Sequence, residues 1–333
     1  MECEPLGLPI ESKSKTKVLH SSLGFRFIMR PIKLAVIGTI TKDTITFPNG
    51  KVTRSFGGIL YNVLPLAQAT QQDIIISPVC NLGSDIYKRV IFYLKEFDNI
   101  ELSGISRVGG KNNHVHLFYD RRWHKKEILK NLVPKIEFHQ VKPYLDSDYL
   151  LINFISGFDI GLDTLRKIKA KTHSPIFIDV HSLILGITKN GKRFFKAPAL
   201  WREYLKIADI VQMNFKEMQI ISGSHLKPEN EMKEFARTIL NLGPDILLVT
   251  RGRKGALLYY KKSKKIIRYQ TSALKVRDFV DPTGCGDVFS SGFLLAYLKT
   301  SNTELSCEYA NFLAGMKSRF SGIEMFLGKN IGV

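Results

Sequence analysis

The stretch YLLINFISGFDIGLDTLRKIKAKTHSPIFIDV, residues 149–180, decides the fold. Its two ends, YLLINFI (149–155) and PIFIDV (175–180), are short runs with almost no polar interruption. Between them, Leu162, Leu165 and Ile168 recur at helical spacing, which predicts a helix over 162–171. A strand that is apolar on both faces must be covered on both faces, the condition of a parallel strand flanked by helices. The same rhythm extends outward. KLAVIG (33–38) reads as a buried strand ending in glycine, DIIISPV (73–79) as a second strand, and 84–97 as a helix. GILYNVLPLAQAT (58–70) carries helical spacing, with Pro65 near a start or a kink. Beyond 180 come helices at 199–206, 215–222 and 230–242 around the strands DIVQMN (209–214) and DILLVT (245–250). A meander follows at 256–260 and 265–270, then helices over 285–299 and 303–320. The expected fold is a three-layer α/β architecture with a mostly parallel central sheet and helices on both faces.

Bulk properties narrow the function. Hydrophobic residues make up 44% of the 333, enough for a substantial core, yet no apolar run approaches the ~18–20 residues that span a bilayer. No membrane partner is expected. Cysteines 3, 80, 285 and 307 are far apart with no C-x-x-C, which argues against a disulfide framework or zinc ribbon and fits a reducing, cytoplasmic setting. The formal charge is +19, from 49 Lys+Arg against 30 Asp+Glu, and favours anionic ligands such as nucleotides. Its densest clusters are Arg121-Arg122 with Lys125-Lys126, and Lys261 to Lys265. Residues 1–29 read as a disordered leader, with Met29 an alternative start, and 30–333 as the folded domain.

In an open α/β sheet, ligands bind beyond the carboxyl ends of the strands. Those ends here carry Gly38 through Asp43, Asn153, Asp179, Asn214, Thr250 to Gly255, and Asp281 to Asp287. The segment DPTGCGDVF (281–289) is the most telling. Gly284, Cys285 and Gly286 are expected to present free backbone N–H groups at a helix start, where the dipole also attracts an anion. Asp287 beside them opposes a bound phosphate, a conflict that makes sense if the carboxylate must take a proton next to the anion. The competing reading is a plain helix cap on a glycine turn. Neither a G-x-x-x-x-G-K-[ST] loop nor a G-x-G-x-x-G after the first strand occurs.

DPTGCGDVF closely resembles the D-x-x-G-A-G-D-x-F motif of the ribokinase/PfkB family of carbohydrate and nucleoside kinases, with Cys285 in place of alanine. The resemblance covers roughly residues 33 to 322. It implies a ribokinase-like fold with a small β lid, formed by segments about 41–56 and 107–131. It also implies an ATP- and Mg2+-dependent carbohydrate kinase with Asp287 as base and the 284–286 turn as anion hole. The family's early aspartate falls on Asp43, and its G-G-x-x-x-N sugar element on Gly57, Gly58 and Asn62. Its N-x-x-E element falls on Asn214 and Glu217, the latter facing magnesium through water. Its nucleotide element falls on Thr250, Gly252 and Gly255 in TRGRKG, with Arg251 a further phosphate contact and Asn311 near the adenine. Asn153 is expected to hydrogen-bond a sugar hydroxyl, and Asp179 and His181 to face substrate or nucleotide or to be structural.

Lid residues Asn112, Asn113, His114, Arg121, Arg122, Trp123 and His124 match no ribokinase or adenosine kinase lid. His114 and His116 share a strand face as metal ligands do, but no carboxylate or cysteine accompanies them in sequence. The acceptor, sugar or nucleoside, stays open, as does the choice between monomer and homodimer. A non-catalytic, nucleic-acid-associated role is the remaining alternative, and it would require loss of Asp287, the glycine turn or the 214/217 pair.

Overall fold

The computed structural model describes residues 30–70, 73–224, 226 and 230–327, so the reading of 1–29 as a leader lies outside it. The chain divides after Pro31, and everything below concerns the unit that begins at Ile32. In chain order its strands are β1 (Ile32–Ile37), β2 (Ile40–Thr46), β3 (Val52–Gly58), β4 (Ile74–Gly83), β5 (Ile105–Val108), β6 (His114–Tyr119), β7 (Lys125–Lys130), β8 (Tyr149–Asn153), β9 (Ile176–Asp179), β10 (Leu185–Ile187), β11 (Arg193–Phe195), β12 (Ile210–Asn214), β13 (Ile246–Thr250), β14 (Ala256–Lys262) and β15 (Lys265–Thr271). The helices are α1 (Leu60–Thr70), α2 (Tyr87–Leu94), α3 (Phe138–Val141), α4 (Leu162–Lys171), α5 (Trp201–Lys206), α6 (Phe215–Ser222), α7 (Asn230–Leu242), α8 (Cys285–Thr300), α9 (Thr303–Lys317) and α10 (Glu324–Leu327).

Nine strands form one sheet in the order β15-β14-β13-β12-β9-β8-β1-β4-β5. The pairings from β13 across to β5 are parallel, and β14 and β15 close one edge as an antiparallel meander. Alternation along β1 shows how the layers are built. Leu34 and Val36 join one buried cluster, with Leu64 of α1, Leu94 of α2 and Phe293 of α8. Ala35 and Ile37 point the other way, into a cluster with Ile168 of α4, Leu205 of α5 and Ile239 of α7. The continuous apolar runs in the sequence thus follow from two helical layers, each claiming alternate residues. Pro65 lies inside α1, not at its start.

The order places a topological switch at β1. From it the chain builds outward through β4 and β5, then returns to add β8, β9, β12 and β13 on the other side. By the general rule for such sheets, the ligand side lies beyond the carboxyl ends of the strands near this switch. Gly38, just past β1, shows how tight that junction is: a Cβ there would lie 2.6 Å from the Asn153 carbonyl oxygen.

A second sheet, β3-β2-β6-β7, occupies the two segments expected to form a lid. β2 and β6 pair in parallel, and hairpins β2–β3 and β6–β7 flank them. Asn112 and Asn113 are buried at its root. The Asn112 amide donates to the Ile40 carbonyl and accepts from the Gly83 N–H, while Asn113 Oδ1 accepts from Val133 N–H. They fasten the sheet to the body. The short hairpin β10–β11, unanticipated in the sequence, docks on β7 through Leu129 N–H to Gly191 O.

Phe293 is fully buried, edge-on to Phe177 of β9 and stacked on Tyr297. Phe293→Ala should cost about 3–5 kcal/mol of stability, seen as a lower urea midpoint with unchanged m-value.

Candidate functional site

A large cavity of about 1770 Å³ lies over the carboxyl ends of the strands and under the second sheet. One small ligand fills roughly 300–1,000 Å³, so there is room for two. At its centre, α8 begins. Gly284 precedes the helix at φ +80°, and a Cβ there would lie 2.5 Å from the Tyr61 ring, so glycine is required on both counts. A Cβ on Gly286, by contrast, would meet open space. The expectation of three free N–H groups at 284–286 needs correction. The Cys285 N–H donates to the Pro282 carbonyl, because the chain turns there before the helix starts. Among the described residues, the N–H groups of Gly284, Gly286 and Asp287 have no acceptor. The Cys285 thiol is pushed up to about 11, chiefly by burial, and stays protonated.

Asp287 lies in the first turn of α8 and is 5% exposed. Asn153 Nδ2 donates to its Oδ1 at 2.8 Å. The same Nδ2 donates to Asn62 Oδ1 at 2.9 Å, and Asn62 Nδ2 in turn donates to the Asp287 carbonyl and to Ser290 Oγ. Asn62 and Asn153 are fully buried and do not line the cavity. Both were expected to hold a sugar; in the structure they join α1, β8 and α8 behind the carboxylate.

The turn before Asp287 is organised by a buried ion pair. Asp281 and Lys317 have no exposed side-chain surface, with Nζ 3.8 Å from Oδ2. Asp281 Oδ1 accepts from Thr283 N–H, and Lys317 Nζ donates to the Phe320 carbonyl and lies 5.2 Å over the Tyr61 ring that packs on Gly284. Gln212 on β12 ties the turn to the sheet, donating both to Asp179 Oδ2 and to the Gly286 carbonyl at 2.8 Å.

Asp43 on β2 lines the cavity, and its Oδ1 accepts from Thr41 Oγ1 at 2.7 Å. The two glycines assigned to sugar contact have packing reasons. A Cβ at Gly57 would lie 2.0 Å from Asp43 Oδ2, and one at Gly58 (φ +66°) 2.1 Å from the Thr39 carbonyl. Gly58 reaches the cavity wall; Gly57 stays behind it, making space for the carboxylate. Burial, reinforced by Glu127, Asp281 and Asp287, pushes Asp43 up to about 7 despite the Thr41 bond.

Asn214 and Glu217 open α6 as a reciprocal cap: Asn214 Oδ1 accepts from Glu217 N–H, and Glu217 Oε2 from Asn214 N–H. Burial pushes Glu217 up to about 7, with Asp287 adding to the shift and His181 and Lys125 opposing it. Asp179 is raised by burial, then by Asp287 and Glu217. Thr250, Gly252, Gly255 and Asn311 line the other part of the cavity. Gly252 (φ +55°) and Gly255 (φ +80°) shape the loop after β13, where a Cβ on Gly255 would strike the Thr271 carbonyl. Arg251 does not line the cavity; its guanidinium turns back to the Lys254 carbonyl, and Arg253 faces the cavity in its place. His114 bonds Thr44 Oγ1, and no group of three metal-ligating side chains occurs among the described residues. Glu127, Arg193, Gln212 and Lys317 were all missed in the sequence, since none belongs to a local motif.

Comparison with known proteins bears on this geometry. A model of the pfkB family of carbohydrate kinases matches residues 188–322. An ATP-dependent 6-phosphofructokinase of Thermoanaerobacterium thermosaccharolyticum is 33% identical over 269 residues, 75% of this chain and 74% of that protein. The chain belongs to the ribokinase/PfkB family. It is therefore a kinase, one that phosphorylates an alcohol of a sugar or sugar derivative. A cytidine kinase of Thermococcus kodakarensis is 26% identical over 268 residues, covering 80% of this kinase and 88% of its relative. The solved ribokinase of Thermotoga maritima shares the fold, with a TM-score of 0.68 at 19% identity, over 90% of this kinase and all of that chain.

Two outcomes are expected. Lys317→Met leaves the Asp281 charge buried and unpaired, and should lower unfolding free energy by about 3–5 kcal/mol; adding Asp281→Asn should restore most of it in urea denaturation. For the unliganded protein, Asp43 titrates near 7 folded and near 3.8 unfolded. The folded state then holds the extra proton, so this group's stabilisation is full below about 4 and is lost as pH rises to about 7. His114, pushed down to about 4, has the opposite slope below about 6.5. The difference between wild type and Asp43→Asn isolates the aspartate, and should shrink in wild type's disfavour between pH 5 and pH 8.

Proposed function

We propose that the kinase moves the terminal phosphoryl group of ATP to a hydroxyl of a sugar or nucleoside, with Asp287 as general base. One observation carries this reading. Asp287 is held by Asn153 at the cavity wall, beside the N–H groups of Gly284, Gly286 and Asp287, which have no acceptor among the described residues. Asp287 takes the acceptor's hydroxyl proton. The oxygen forms its bond to the terminal phosphorus while the bond from that phosphorus to the nucleotide's bridging oxygen breaks, and the amides face the charge on the moving group. Asp43, backed by Thr41, accepts hydrogen bonds from other hydroxyls of the acceptor. Thr250, Gly252, Gly255 and Asn311 line the nucleotide side, where Arg253, Lys275 and Arg277 supply positive charge.

Magnesium supplies charge neutralisation at the nucleotide's phosphates when bound. The donor set fits an ion held through water. Both Glu217 oxygens already accept from Asn214, and no three ligating side chains cluster among the described residues. The mutual repulsion of Asp179, Glu217 and Asp287 is what a divalent cation relieves. The absence of membrane-length apolar helices among the described residues, and free thiols at Cys80, Cys285 and Cys307, support a cytoplasmic site of action.

Asp287→Asn keeps the shape and the Asn153 neighbour but removes the base. ADP release with a competent acceptor should fall by about 10²–10⁴-fold, with circular dichroism and melting temperature little changed. Turnover within about tenfold of wild type, from correctly folded protein, would end the assignment.

A further inference from the structure

Arg193, the first residue of β11, is the least explained charged side chain in the cavity wall. Its side chain is 2% exposed. Nη2 donates to the Ser156 carbonyl at 2.8 Å, and the guanidinium lies 5.4 Å over the Phe158 ring. Neither Nε nor Nη1, both buried, has a hydrogen-bond partner among the described residues. An unsatisfied buried donor is costly, and a guanidinium presents its donors in a fixed planar fork. The neighbouring charge does not satisfy them: Glu127 Oε1 lies 3.8 Å from Nε, an ion pair without a hydrogen bond.

Glu127 comes from β7 of the lid sheet and also lines the cavity, with its Oε2 3.2 Å from Lys125 Nζ. Burial raises its carboxyl, but Lys125 and then Arg193 outweigh burial and hold it below the usual carboxylate range, so it is ionised. Asp43 is within electrostatic reach of both Glu127 and Asp287. Arg193 and Glu127 line the same cavity as Asp43 and Asp287. The β10–β11 hairpin docks on β7, which brings the two side chains together from elements far apart in sequence.

We propose that Arg193 and Glu127 form a specificity pair that reads the polar edge of a neutral heterocycle carried by the acceptor, a nucleobase or close analogue. Arg193 Nη1 and Nε donate to its carbonyl or ring-nitrogen acceptors, and a Glu127 oxygen accepts from its N–H. The carboxylates beside the fork disfavour an anionic group at this place. The Arg193 and Lys125 cations already face Glu127, Asp159 adds negative field at Arg193, and a phosphate would be set against a carboxylate. A plain sugar lacks the planar donor–acceptor edge that the fork and carboxylate match. This rests on the kinase reading above and narrows its acceptor to nucleosides.

The test is ADP release from ATP with cytidine, uridine, inosine, adenosine, ribose and fructose 6-phosphate, using the full chain. At least one nucleoside should exceed ribose and fructose 6-phosphate in kcat/KM by about a hundredfold or more. Arg193→Lys, which keeps the charge but loses the fork, and Glu127→Gln, which keeps the shape but lets an amide replace the acceptor oxygen, should each lower kcat/KM for that nucleoside by about 10–100-fold, mainly through KM. Glu127→Gln also serves if the arginine variant does not fold. Preference for ribose or fructose 6-phosphate, or an unchanged nucleoside KM in folded variants, overturns the specificity pair and leaves the kinase reading standing. No turnover of any acceptor by folded wild type overturns both.

Discussion

The hydrogen bonds from Asn153 to Asp287 and to Asn62 hold the site together. They cross three elements, the end of β8, the first turn of α8 and the body of α1, and lie fully inside the protein. A carboxylate in the first turn of a helix is favoured by the dipole but has rotamer freedom. Fixing one of its oxygens from a strand end and its carbonyl from a neighbouring helix removes that freedom. The other oxygen is left toward the cavity. Because Asn153 sits at the switch point beside β1, the geometry of the whole sheet sets the direction of one acid side chain.

Electrostatics in the cavity oppose the chain's overall sign. The protein carries +19, yet Asp43, Asp179, Glu217 and Asp287 converge at the strand ends, and burial with mutual repulsion raises the first three. Arginines and lysines along the lid and the 253–277 region surround them. A buried acidic centre in a basic surround suits a polyanionic donor approached from outside and an alcohol that must lose a proton inside. Lys317, a deep cation near the turn, is held by Asp281 and the Phe320 carbonyl, where it shapes backbone.

The motif residues sort into two layers. Gly58, Asp43, Gly284 to Asp287, Asn214, Glu217, Thr250, Gly252, Gly255 and Asn311 reach the cavity. Gly57, Asn62, Asn153 and Arg251 stand behind it, as space for a carboxylate, as amide struts and as a loop tie. A motif marks residues that a site requires, and does not separate those that touch a ligand from those that aim the ones that do.

By itself the sequence determined the layered sheet, most element boundaries and the central turn. These depend on local physics: apolar runs that need cover on two faces, helical spacing as at 215–222 and 230–242, and glycines beside an aspartate at a helix start. Where local order alone was used, a small error followed, as with the Cys285 N–H. Only the tertiary structure decided the Asp281–Lys317 pair, the Gln212 bridge and the meeting of Arg193 with Glu127. Each joins residues dozens of positions apart, on elements brought together by sheet order and hairpin docking. No spacing in the chain encodes that register, because burial, which gives those charges their meaning, exists only once the layers have packed.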